Sequence, residues 1–124
     1  MGAYHNALIT VLPSEARTQS VSSEDFENLH YRGVKVVVDV SDLSNTPDIT
    51  VSIEGHDPVS GKYYEILKSA SITAAGTTIL TVYPGIEAVS NVSASDVLPR
   101  YWRVSVTHDN SDSITYSIGA TMIL

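Results

Sequence analysis

The sequence predicts an all-β chain folded as a single antiparallel β-sandwich, Ig-like or jelly-roll-like, with an up-and-down barrel as the alternative closure. Three observations carry this. Apolar and polar residues alternate with the two-residue period of half-buried strands in residues 34–40, 49–56, 101–107 and 114–124. Turn-forming clusters punctuate the chain at the spacing of a sandwich: residues 42–48, Asp57-Pro58-Val59-Ser60-Gly61, Ala74-Ala75-Gly76, Pro84-Gly85 and residues 109–113. No stretch sustains the 3.6-residue apolar period of a helix.

Taken in order, residues 1–6, with Tyr4 and His5, have nothing local to bury against and read as an extended N-terminal arm. Residues 7–13 form a short apolar strand closed by Pro13, and residues 18–21 a second brief one. Ser23 lacks the Glu or Gln that would complete a capping box, so the acidic stretch up to Tyr31 reads as loop. Val34, Val36, Val38 and Val40 then face one way, while Lys35, Val37 and Asp39 face the other. Ile49, Val51 and Ile53 alternate with Thr50, Ser52 and Glu54 in the next strand. Pro58 and Gly61 are placed for a tight reversal, and residues 62–67 return as its partner, apolar on both faces and so expected to be covered on both. Residues 77–83 form a strand ended by Pro84-Gly85, and residues 86–98 have the length of a crossover between sheets. Trp102, Val104 and Val106 line one face of a strand that the polar run 109–113 joins to residues 114–124 as a C-terminal hairpin. That last alternation runs to Leu124, which is expected to be paired and packed. Nothing divides the chain, so residues 1–124 read as one domain.

Composition excludes several classes of function. Seven basic against fourteen acidic side chains give a net charge of -7, which opposes binding to a nucleic-acid backbone. With no cysteine, thiolate metal sites, redox chemistry and cysteine nucleophiles are ruled out, and assembly in a reducing cytoplasm fits. No apolar run approaches the roughly 20 residues that span a bilayer, and residues 1–6 lack the basic region and apolar core of a signal peptide.

The chemistry-bearing residues do not assemble into a catalytic pattern. His5, His30, His56 and His108 stand one per loop or strand end, without the local pairing of a metal site, and read as surface histidines. The run 109–113 has oxygen ligands at short spacing but lacks the Gly and terminal Glu of a calcium loop, so a solvated turn is favoured. There is no Gly-x-Ser-x-Gly elbow, and the turn accounts for Ser60. Glu54 and Glu65 read as surface carboxylates, and Asn91-Val92-Ser93 as a chance match to the glycosylation triplet. Trp102 and Tyr116 occupy core-facing positions. Tyr63, Tyr64, Tyr83 and Tyr101 either form an exposed strip that binds sugar or protein, or are half-buried with hydroxyls reaching solvent, the reading favoured for each. The chain is therefore expected not to be an enzyme and to need no cofactor or metal.

Three segments carry a resemblance. Ile53-Glu54-Gly55-His56-Asp57-Pro58-Val59-Ser60-Gly61-Lys62-Tyr63-Tyr64, Leu80-Thr81-Val82-Tyr83-Pro84-Gly85 and Leu98-Pro99-Arg100-Tyr101-Trp102-Arg103-Val104 resemble the small β-sandwich decoration, or cement, proteins of tailed-bacteriophage heads. Tyr31-Arg32-Gly33-Val34 and Ile118-Gly119-Ala120 fit the same pattern, so the match spans residues 32–124. The resemblance implies a non-enzymatic structural protein of the virion. Such a protein assembles in the bacterial host cytoplasm and braces the outer surface of the icosahedral capsid. Its implied partners are the major capsid protein and further copies of itself, a homo-oligomer such as a trimer, with neither nucleic acid nor membrane. Phage tail or head-completion sandwiches, and a carbohydrate-binding adhesion module on the virion, are the alternatives. If the core uses the strands from Val34 onward, residues 1–6 and 14–31 lack an internal partner. Tyr4, Phe26 and Tyr31, with His5 in the arm, are then expected as contact anchors, and Arg32 as a bidentate partner for a carboxylate. The competing expectation is that Phe26 and Tyr31 close one end of the sandwich.

Overall fold

In a computed structural model, which describes residues 5–124, the chain forms ten strands and, among the described residues, no helix. They are β1 (Ala7–Arg17), β2 (Val21–Ser22), β3 (Phe26–Glu27), β4 (Gly33–Leu43), β5 (Ile49–His56), β6 (Tyr63–Lys68), β7 (Gly76–Val82), β8 (Ser93–Ala94), β9 (Tyr101–His108) and β10 (Ile114–Ile123). Sheet A has the order β1-β10-β4-β7-β8, and sheet B the order β2-β9-β5-β6, with β3 also on β9. The sheets pack face to face as a sandwich with open edges, so the barrel alternative is set aside. β2 and β3 flank one edge of β9 as a single interrupted strand, the gap stitched by Ser23, whose N donates to Val104 O and whose Oγ accepts from Val104 N. Counting that pair once and leaving out the parallel β8, eight strands divide between two four-stranded sheets in the order of a jelly roll.

The alternating residues meet between the sheets. Val34, Val36, Val38, Ile118 and Leu80 of sheet A face Ile49, Val51, Ile53, Trp102 and Val104 of sheet B, all essentially inaccessible to water. Each such side chain contributes about 1.5–3 kcal/mol of burial.

Four expectations are corrected. β9 and β10 do not form a hairpin: they lie in different sheets, and residues 109–113 arch over the end of the core. Alternation tells that one face of each strand is buried; it does not distinguish two strands side by side from two strands face to face. Pro13 does not close the first strand. β1 continues to Arg17 because it is a sheet edge, where a residue without an N–H is tolerated, and because two register shifts bulge it around the proline. Arg17 fixes that bulge by donating to Pro13 O (2.6 Å) and Tyr116 O (2.7 Å). The stretch 14–31 is not partnerless, since residues 14–17 belong to β1 and β2 and β3 pair with β9. Finally, β6 is not covered on both faces. Tyr63, Tyr64 and Glu65 are exposed, and Ile66 is the extra residue of a bulge that flips the alternation and sends Leu67 inward.

Candidate functional site

The two outer faces of the sandwich differ in chemistry. On sheet A, strand register builds cross-strand rows Leu8–Thr121–Lys35–Thr81, Thr10–Gly119–Val37–Ile79 and Ser117–Asp39–Thr77. Those rows hold two charged side chains, Lys35 and Asp39, and the next row, Ala16–Thr115–Asp42, adds a third, in a chain with 21. Leu8 is 82% and Ile79 47% exposed. Gly119, without a side chain, keeps the centre of this face low. The pattern arises because β10 spends its outward positions on Thr115, Ser117, Gly119 and Thr121, which suit a pleated surface without demanding water.

The outer face of sheet B is polar and aromatic. Asp25, just before β3, accepts from Tyr63 Oη at 2.8 Å and pairs with His56 Nδ1 at 2.7 Å. The His56 and Tyr63 rings stack at 4.3 Å, and the Arg103 guanidinium lies 3.4 Å from the Tyr63 centroid, so both faces of that tyrosine are occupied. Arg103 is held in turn by Glu54 (2.8 Å). One step along, Glu27 Oε2 accepts from Arg100 (3.0 Å) and from Tyr101 Oη (3.2 Å). The hydrogen bond to Asp25 pushes the Tyr63 phenol up, and that to Glu27 pushes the Arg100 guanidinium up. In the adjoining turn, Asp57 accepts from Ser60 Oγ (2.8 Å) and from Val59 N (3.1 Å), bonds that hold its carboxyl below the usual range, and Gly61 closes the turn at φ +75°.

Between this turn and the start of β9 runs a shallow groove. Its volume is about 320 Å³ on the side of Asp25 and Glu27 and about 480 Å³ on the side of Tyr64, Pro99 and Arg100, with His56, Pro58 and Tyr101 common to both.

Of the expected contact residues, Tyr4 lies outside the described residues. His5, Tyr31 and Arg32 come together: Tyr31 Oη donates to His5 O at 3.0 Å, and Arg32 N donates to Ile123 O at 2.8 Å, which sets them at the end of sheet A. Phe26 stands apart from them, half-buried with its ring 5.1 Å from that of Trp102. Not all histidines are surface groups. His56 is held by Asp25, and His108 has a buried Nδ1 while its Nε2 meets the Tyr116 hydroxyl at 2.9 Å. Glu54, in its pair with Arg103, is only 20% exposed at the side chain, unlike the open carboxylate expected. The tyrosines form no single strip: the ring faces of Tyr63 are taken by His56 and Arg103, Tyr83 donates to Leu124 O, and Tyr64 and Tyr101 border the groove. The cluster of Asp25, His56, Tyr63 and Arg103 was missed because its members come from distant segments, and no local spacing announces it. Among the described residues no group of three His, Asp or Glu is placed to hold a metal ion.

No family model matches the chain, and no curated protein matches it.

Proposed function

We propose that the chain is a non-enzymatic structural protein of a bacteriophage particle, seated on the outer surface of the icosahedral capsid through the outer face of sheet A. The observation that carries this reading is the contrast in charge. A broad four-stranded face with three charged side chains, Lys35 and Asp39 within it and Asp42 at its end, on a protein with 21, has the charge depletion of an interface core. His5, Tyr31 and Arg32 border that face and supply polar and aromatic rim contacts. The resemblance of residues 32–124 to decoration proteins supports the reading, since it implies a sandwich fold and the major capsid protein as partner. Repetition over many capsid sites turns a modest single contact into firm attachment.

Ile79→Glu tests the reading, since it puts a charge in the middle row of the face, beside Val37, without entering the core. It is expected to weaken binding to heads lacking the protein by at least about tenfold, or about 1.4 kcal/mol. Thr107→Glu, on sheet B, is expected to bind as wild type. Equal binding by both variants would remove sheet A as the docking face.

A further inference from the structure

We infer that the groove on the outer side of sheet B is a binding site for a neutral sugar. The walls and the polar groups each argue for this ligand class. Pro58 and the Tyr101 ring offer apolar surface to the C–H face of a pyranose, in a groove whose volume is within the range of small-molecule sites. Asp25, Glu27 and His56 line the same space with planar groups that bond vicinal hydroxyls.

These groups are held before any ligand arrives. Asp25 is fixed by Tyr63 and His56, and Glu27 by Arg100 and Tyr101. The His56 ring rests on Tyr63, which Arg103 backs from the other side. Glu27 Oε1 and His56 Nε2 are left with no protein partner among the described residues; the first is an acceptor, and because His56 Nδ1 donates to the Asp25 carboxylate, Nε2 of the neutral ring is an acceptor too, so both suit hydroxyl donors. Side chains fixed in this way lose little entropy on binding.

Charge narrows the ligand further. Three carboxylates line the groove, Asp25, Glu27 and Asp57, and disfavour an anion; Glu27 is paired with Arg100, and Asp57 has both oxygens engaged by Val59 N and Ser60 Oγ, which weakens the case for a cation. A hydrocarbon would strand the carboxylates without water. A neutral ring bearing many hydroxyls satisfies all three conditions. The groove and the proposed docking face lie on opposite sheets, so a docked copy would still present the groove, and the two assignments fail independently.

The test is a titration of the ¹⁵N-labelled protein with the methyl glycosides of glucose, galactose, mannose and N-acetylglucosamine, and with maltotriose and chitotriose, followed by amide shifts. At least one probe is expected to saturate with a dissociation constant on the order of millimolar, as a shallow site implies. Its shifts should be confined to the amides of residues 25–27, His56, Asp57, Arg100 and Tyr101. Tyr101→Ala and Glu27→Gln should each weaken that probe about tenfold or more, while Ile79→Glu leaves it unchanged. Glu27→Gln and Pro58→Ala carry the test if Tyr101→Ala does not fold. No saturable shift with any of the six probes, or shifts that survive in the groove variants, would overturn the assignment.

Discussion

Tyr116 gives the packing of the two sheets a signature in alkali. Its ring is fully buried between them, and burial pushes its phenol up from 10.0 to about 12, with Arg17 opposing the rise. The unfolded chain therefore releases this proton near the ordinary value while the folded protein keeps it. Between those two pH values the unfolded state binds fewer protons, so stability falls as pH rises. At about 1.4 kcal/mol per pH unit, the gap from 10.0 to about 12 corresponds to a loss of about 2 to 3 kcal/mol. Urea unfolding of wild type and Tyr116→Phe across this range isolates the effect, because the other tyrosines and the lysines are common to both proteins. Below pH 10 the variant should be less stable by about 1 kcal/mol, having lost the hydrogen bond to His108 Nε2. Through the range the difference should shrink and change sign. Parallel curves would refute the reasoning, since they would mean that water reaches the Tyr116 hydroxyl and that the sheets do not close over it.

Other consequences can be checked with the same preparations. Burial, and then Arg17, depress the His108 imidazole below 6.5, so its contribution is intact above that pH and declines as pH falls below it. Urea midpoints of His108→Gln should show a shallower acid slope than wild type. Gly33→Ala would drive a Cβ into the Val82 carbonyl and within 2.7 Å of the Tyr83 ring, costing about 3 kcal/mol and lowering Tm by roughly 10 °C. Gly55→Ala meets only the hydroxyl end of Tyr64, which is 48% exposed and can swing aside, so a thermal melt should register about 1 kcal/mol. Phe26→Ala should keep the fold and cost about 1 to 2 kcal/mol through lost packing on Trp102, read from a urea transition.

Much of the fold was legible because inward and outward residues alternate so regularly from Val34 onward. Val34, Val36, Val38 and Val40 are all buried, as are Ile49, Val51, Ile53, Trp102, Val104 and Val106. The turn 57–61 was legible for a similar reason, since Pro58 and Gly61 fix its backbone locally. What alternation does not encode is which sheet a strand joins, and so β9 and β10 were paired when they face each other across the core. The edge strands were hidden by their own irregularity: the bulges beside Pro13 in β1, the break at Ser23 between β2 and β3, and the extra Ile66 in β6 each disrupt the two-residue period. The groove was hidden by distance along the chain. Asp25 and His56 are 31 residues apart, and only the pairing of β3 and β5 with β9 brings them into one salt bridge. The low charge of sheet A was present in Thr115, Ser117, Gly119 and Thr121, but it becomes a surface only once β1, β4 and β7 are set in register around them.

The most direct measurement of the proposed capsid role is electron cryomicroscopy of phage heads lacking the protein, mixed with it in excess. The account predicts sandwich-shaped density on the outside of the shell, with the β1-β10-β4-β7 face against the major capsid protein and the Asp25–His56–Tyr101 groove turned away from it. No density on the shell, or a sandwich seated by sheet B with Ile79 and Val37 open to solvent, would contradict it.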